Sequence, residues 1–358
     1  MFFDVGGEIK LNTAVSCAGD LTIAGQTAPG GIVFDGGEIS FANRNNIICR
    51  HVRIRPGSDT ASTGDDCLSL YQASNCIMDH ISIEFGPWNN IDAVGCGAIT
   101  VQNSIDANPT YQQFGAHTES VGQNFAWFYN IFANSHNRNP LAKINTVFIN
   151  NLEYNNSAGY TTHTSTPFKH DIVNNYFIHG PASGGNFPWY QIDNNQSMYF
   201  SGNLNDTDKN GVLSGSSTIP LPGYQGGGTV LNSPWSTWTT NVPIHNLNST
   251  YRIAMSQSGA WPRDEMDSLL LSQIKTLGNG PTGNGAGTAG PGGGLYTSQT
   301  STGLGNNGYG TITGGAPAVD SDSDGLPDFW EDAVGLDSNN SLDSTNLTLS
   351  GYTQLEIY

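Results

Sequence analysis

Charge is scarce in this sequence. Lys plus Arg number 12 and Asp plus Glu 30 among 358 residues, so charged side chains make up only 12%, where soluble proteins commonly carry about a quarter. The balance is −18 with a pI near 4.5, which excludes a nucleic-acid partner held by general electrostatics. Long hydrophobic runs are also missing. No stretch approaches the roughly 18 apolar residues of a membrane span, and the start, MFFDVGGEIKLNTAV, lacks the basic region and apolar core of a secretory leader. Cysteine is sparse: Cys17, Cys49, Cys67, Cys76 and Cys96 lie in the first third. Their odd number allows two disulfides at most, and their spacing fits no zinc site.

What the chain has instead is small and polar. Glycine supplies 45 residues, and Asn, Ser and Thr carry the polarity that charge does not. Hydrophobic residues at 37% still suffice for a core, in one large all-β domain or two smaller ones. Six N-x-S/T sequons occur, at Asn155, Asn195, Asn205, Asn248, Asn339 and Asn346. With the low Lys content they point to a secreted, glycosylated, carbohydrate-active protein, although an Asn-rich chain also makes sequons by chance.

A short pattern recurs: a β-prone stretch, an Asn, then an apolar residue. It centres on Asn103, Asn130, Asn151, Asn175 and Asn203, separated by 27, 21, 24 and 28 residues. Two upstream stretches, IICRHVRI and CIMDHISI, carry the strand without the Asn. Units of this length, made of strands and turns, predict a parallel β-solenoid whose turns bury their inner faces by stacking. A stacked Asn can pass side-chain hydrogen bonds from turn to turn; simple turn preference is the plainer explanation.

The repeat defines residues 1–235 and then fades. Residues 236–277 contain YRIAMSQSGAWPRDEMDSLLLSQIKTL, whose apolar spacing predicts a helix lying on the solenoid, with Asp264 and Glu265 early and Lys275 late as the helix dipole favours. Residues 278–318 read as a Gly-rich, loosely draped linker. Residues 319–358 form a tail that opens on DSDSDGLPDFWE. There Asp320, Asp322, Asp324, Asp328 and Glu331 fall at positions 1, 3, 5, 9 and 12 of an EF-hand-like loop, with Gly325 at the sharp turn. This predicts one structural calcium site.

A second constellation is NSHNRNPLAKINTVFINN, in which Arg138 precedes Pro140 and Lys143. With GDDCLSL (Asp65, Asp66), CIMDHISIEFG (Asp79, His80, Glu84) and NNIDAVG (Asp92), it resembles polysaccharide lyase family 1, the pectate lyases. The family's signs here are the R-x-P sequence with a basic residue five positions after its Arg, the D-H-x-S strand, and carboxylates on two neighbouring turns. TIAGQTAPGG, HVRIRPG, the SGAWPRDEMD helix and the GYTQLEIY end extend the likeness along the whole chain.

The resemblance implies an all-β chain, a right-handed single-stranded parallel β-helix with a C-terminal helical and loop extension. It implies a monomeric enzyme cleaving polygalacturonate or a related acidic polysaccharide by calcium-assisted β-elimination. In this reading Arg138 is the base and Lys143 lowers its affinity for protons; Asp66 and Asp92, with Asp65, hold the catalytic calcium. Trp88 and Gly64 stand where the family has acids, and Asp65, Glu84 and Asn90 are the candidates to compensate. Gln113 falls where the family has a basic substrate clamp, with His117 the nearby substitute. Arg44, Arg50, Arg53 and Arg55 crowd two turns, and Arg55 is taken as a substrate contact, against an ion-paired role. The likeness also implies an N-terminal segment before FFDVGGEIKL. Two alternatives stand beside it: a glycoside hydrolase using Asp65, Asp66 and Asp92, and a polysaccharide-binding solenoid without catalysis.

Overall fold

The computed structural model describes all residues except 58–61, 221–227 and 281–294. It is the parallel β-solenoid expected. One face is a sheet of nine parallel strands running from Gly7–Lys10 to Leu204–Asp206, to which a final antiparallel strand, Ser216–Ser217, is added. The other two faces are arms of a second sheet. They merge where Phe114–Phe128 runs through both, bent by a register shift between Glu119 and Asn124.

Alternation places the inward residues in a continuous interior. Ile47, Cys76, Ile99, Phe125 and Phe148 are buried along it. Aromatic rings fill the middle turns: Phe125 and Trp127 stack at 4.6 Å, and Phe148 meets Tyr160 edge-on at 5.3 Å. All five cysteines are free thiols, four of them buried.

The Asn ladder exists, shifted by one residue at its start. Asn130 donates through Nδ2 to Asn151 Oδ1 (3.0 Å), Asn151 to Asn175 (3.2 Å) and Asn175 to Asn203 (2.9 Å). Its next member is Ser104, whose backbone N–H donates to Asn130 Oδ1. Asn103 instead takes the positive-φ position just before the ladder, as Tyr129, Asn150 and Asn174 do. A second ladder, unanticipated, runs at the next corner: Asn155 donates to Asn134, Asn134 to Asn108 and Asn108 to Glu84, each at 2.8 Å.

The predicted helix is two, Thr250–Gln257 and Glu265–Ile274, divided at Gly259 with φ +93°. Asp264 caps the second by accepting from the Asp267 N–H. Met266, Leu270 and Ile274 lie on the outer side of the nine-strand face against Ile105, Ile131 and Leu152. Of the expected linker, 281–294 lies outside the described residues. Leu295, Tyr296, Gln299 and Tyr309 beyond it are buried, so that part is docked and not draped.

Candidate active site

Successive turns stack about 4.8 Å apart, so residues distant in sequence form columns on the groove face. Asp92 on strand Asn89–Val94 pairs in register with His117, and His117 with Leu141; one step outward, Glu119 pairs with Lys143. Asn89 pairs with Phe114, and Phe114 bridges to Asn137, next to Arg138.

Asp66 and Asp92 sit on neighbouring turns as expected. Burial, then the Asp92 charge, pushes Asp66 up to about 7; burial pushes Asp92 up to about 6 against the pull of Arg138. Both carboxylates are thus destabilised as anions, a state that a cation between them relieves. Asp65 does not join them: its two oxygens accept from Ser62 N and Oγ at 2.7 and 2.8 Å, closing a turn of its own. Glu84 and Asn90 do not compensate either. Glu84 is buried against Arg55 and Asn108, and Asn90 donates to Asp106 and the Ala107 carbonyl.

Arg138 is half-buried with φ +68°. Its guanidinium lies 4.0 Å from the Phe114 ring centre and donates from Nη1 to Asn89 Oδ1 at 2.6 Å. Asn89 in turn donates through its backbone N–H and Nδ2 to Asp66 Oδ1, both at 2.9 Å. Burial lowers the proton affinity of Arg138, opposed by Asp66, Asp92 and Glu119. Lys143 is not a bare neighbouring cation: its Nζ pairs with Glu119 Oε2 at 3.2 Å. His117 lies between Glu119 (3.0 Å) and Asp92 (3.7 Å), pushed down to about 4 by burial and then by Arg138. It is neutral near pH 7 and offers a hydrogen bond, where a Lys clamp would offer charge.

Two expected substrate contacts lie elsewhere. Gln113 is buried and donates to the Tyr296 carbonyl, anchoring the segment that follows the Gly-rich stretch. Arg55 is buried in an ion-pair cluster with Glu84, Asp264 and Asp267 that fastens the second helix to the solenoid. Arg53 shares that cluster, Arg50 pairs with Asp79, and Arg44 donates to the Cys17 carbonyl. The arginine crowd is therefore no polyanion face. Asp79 and His80 bond to each other at 2.8 Å on the face built by Ser74–Asp79, apart from the groove. Of the aromatics, Trp189 is interior and Trp235 donates to the Thr146 carbonyl. Tyr190 lines a recess of about 270 Å³ beside Arg138, together with Phe114, Leu141, Thr161 and His163. Trp88 stands at the rim, 38% exposed and edge-on to Phe114.

In the tail, Asp320, Asp322 and Asp324 converge, and so do Asp324, Glu331 and Asp343. Asp328 turns away, accepting from Ser321 N and Oγ at 2.8 and 2.7 Å. The missed member is Asp343, twelve residues past Glu331, where no loop spacing marks it. Of the sequons, Asn155 is fully buried in the second ladder and closed to modification. Asn205 is half-buried, and Asn195, Asn248, Asn339 and Asn346 are exposed.

The solenoid thus sets an arginine beside two aspartates on neighbouring turns, the arrangement that the resemblance to the pectate lyases implies. No protein-family model matches the chain. It is 32% identical to the probable pectate lyase C of Aspergillus fumigatus, over 99% of this chain and 81% of that protein. With the probable pectate lyase C of Aspergillus terreus it shares 30%, over 99% and 82%. The chain belongs to the pectate lyase family. Its fold resembles that of a pectate lyase bound to a hexasaccharide (TM-score 0.51, 13% identity, 69% of each chain) and of a thermostable pectate lyase (0.50, 14%, 69% of each).

Proposed function

We propose that the chain is a calcium-assisted pectate lyase, cleaving polygalacturonate by β-elimination with Arg138 as the base. The observation that carries this is the placement of a guanidinium, its charged form disfavoured by burial, beside two aspartates on adjacent turns. Asp66 and Asp92 are the residues that would hold calcium, and two carboxylates leave ligand positions for a substrate carboxylate. When bound, the ion supplies charge neutralisation for the uronate group as its C5 proton becomes acidic. Arg138, in the neutral guanidine form that burial favours, takes that proton and becomes guanidinium, and the C5 electrons form the C4–C5 double bond. The C4 oxygen leaves and is protonated by water, whose hydroxide takes the proton back from Arg138. Phe114 and Asn89 orient the base; His117, Tyr190 and Trp88 border the path of the sugar chain. A hydrolase using Asp65, Asp66 and Asp92 is less well supported, because Asp65 is engaged with Ser62.

The tail is read as a structural calcium site. Both oxygens of Asp322 and Glu331 and one of Asp343 lack hydrogen-bond partners, and Glu331 is pushed up to about 7 by burial and by Asp322, Asp324 and Asp343. Ligands Asp320, Asp322, Asp324, Glu331 and Asp343 fit a hard cation; Asp328 drops from the set. The exposed sequons support a secreted setting. The deciding experiment is ultraviolet absorbance of the unsaturated uronate on incubation with polygalacturonate, with and without a chelator. Absorbance that grows only with calcium is expected; reducing ends released without absorbance would reveal hydrolysis instead.

A further inference from the structure

Asn89 is 1% exposed and lies between the two charged groups on which the proposed chemistry rests. Its Oδ1 accepts from Arg138 and its Nδ2 donates to Asp66. A guanidinium can only donate and an ionised carboxylate can only accept. Whatever joins them must therefore accept at one end and donate at the other, and a side-chain amide does so with its orientation fixed by its partners. A carboxylate at this position would hold Arg138 but repel Asp66. A hydrocarbon of the same shape would hold neither.

We infer that Asn89 is a positioning residue for the elimination, holding the Arg138 guanidinium at a set place relative to the Asp66 and Asp92 carboxylates through a neutral contact. The inference rests on the proposed role of Arg138. Arg138 is a long side chain with Asp66, Asp92 and Glu119 all near enough to attract it. Without a fixed partner it would fold onto one of them, and an ion pair would both turn its nitrogens away from the substrate and stabilise the protonated form. Asn89 on one side and the Phe114 face on the other make a slot. Because Asn89, Phe114 and Asn137 pair in register on three successive turns, the slot is built into the strand ladder.

The test is a double-mutant cycle on polygalacturonate at saturating calcium. Asn89→Leu should lower kcat by about 100-fold, the scale of a misplaced reacting group, with KM changed less than about threefold. In an Arg138→Lys background the same substitution should change kcat by less than about twofold, as a residue acting only through Arg138 must. A crystal structure of Asn89→Leu should show the guanidinium moved off Phe114. Asn89→Asp, isosteric and so a safeguard against misfolding, should lose turnover comparably because it replaces the neutral partner with an anion. Near-normal kcat in either variant, additive losses in the cycle, or a loss confined to melting temperature overturns the inference. Normal turnover in Arg138→Lys alone overturns the reading of Arg138 and this inference with it.

Discussion

Arg138 carries the sharpest test of the chemistry. Lys at this position keeps the charge but not the planar fork that reaches Asn89 Oδ1 while lying flat on Phe114. Arg138→Lys is expected to cut kcat by orders of magnitude with little change in KM, measured by the ultraviolet assay. A loss mainly in KM would make Arg138 a polymer anchor and not the base. Asp106 offers a second test, away from the groove. It is buried with one partner, Asn90 Nδ2 at 2.7 Å, and burial pushes it from 3.8 up to about 7. Its folded value lies above its unfolded one, so its contribution to stability is full below that window and is lost as pH rises through it. Asp106→Asn keeps the acceptor without the charge. The variant should melt several degrees higher at pH 8 and equally at pH 4, flattening the wild-type slope; an unchanged slope would place its source elsewhere. Arg138, Asp66 and Asp92 can be singled out from sequence because the short motifs that carry the resemblance to the pectate lyases contain them. Asn89 cannot, since an amide in an Asn-rich chain carries no signal until its two partners are placed around it.

At the scale of elements, the ladder shows how a repeat can be read correctly and registered wrongly. The recurring Asn identifies the corner, but a corner has two special positions: one with positive φ, which Asn also favours, and one whose amide stacks. Asn103 occupies the first and Ser104 the second. The sequence pattern cannot separate them, because Asn150–Asn151 and Asn174–Asn175 fill both with the same residue. The energies do separate them. Asn151→Ala removes the acceptor of Asn130 N and Nδ2 and the donor to Asn175, all buried, so it should cost roughly 3 kcal/mol in denaturant unfolding. Asn103→Gly keeps the positive φ and gives up only a 3.3 Å bond to Asp79, and should cost less than about 1 kcal/mol. Equal costs would mean that the stacked amides add nothing beyond turn propensity. Arg55 departs from its expected role for a related reason: its partners Asp264 and Asp267 lie some 200 residues away and only packing of the second helix brings them to it.

Across the whole molecule, the tail closes a long-range circuit that the loop motif does not disclose. Gly325, with φ +96°, lets the Phe2 ring lie 2.8 Å from where a Cβ would stand. The Leu355 carbonyl accepts from Gln26 and the Glu356 carbonyl from Arg50. The tail is thereby fastened to the first turns of the solenoid, and among the described residues it makes no such bonds to the later ones. Metal binding to a folded site stabilises whatever is folded with it, by about 3 kcal/mol at a hundredfold excess over Kd. The Glu331, Asp322 and Asp343 carboxylates have oxygens without hydrogen-bond partners at close range; left unbridged, their repulsion should open the tail and uncover Phe2, which packs under Gly325. Chelation should therefore speed hydrogen exchange in strands Gly7–Lys10 and Leu21–Ala24 while Leu141–Ile149 stays protected. Asp343→Asn should reproduce that pattern at ordinary calcium, and Asp328→Asn, which alters only the contact to Ser321, should not. Exchange that rises evenly along the solenoid, or a stronger effect from Asp328 than from Asp343, would return the site to the plain loop spacing and detach it from the stability of the first turns.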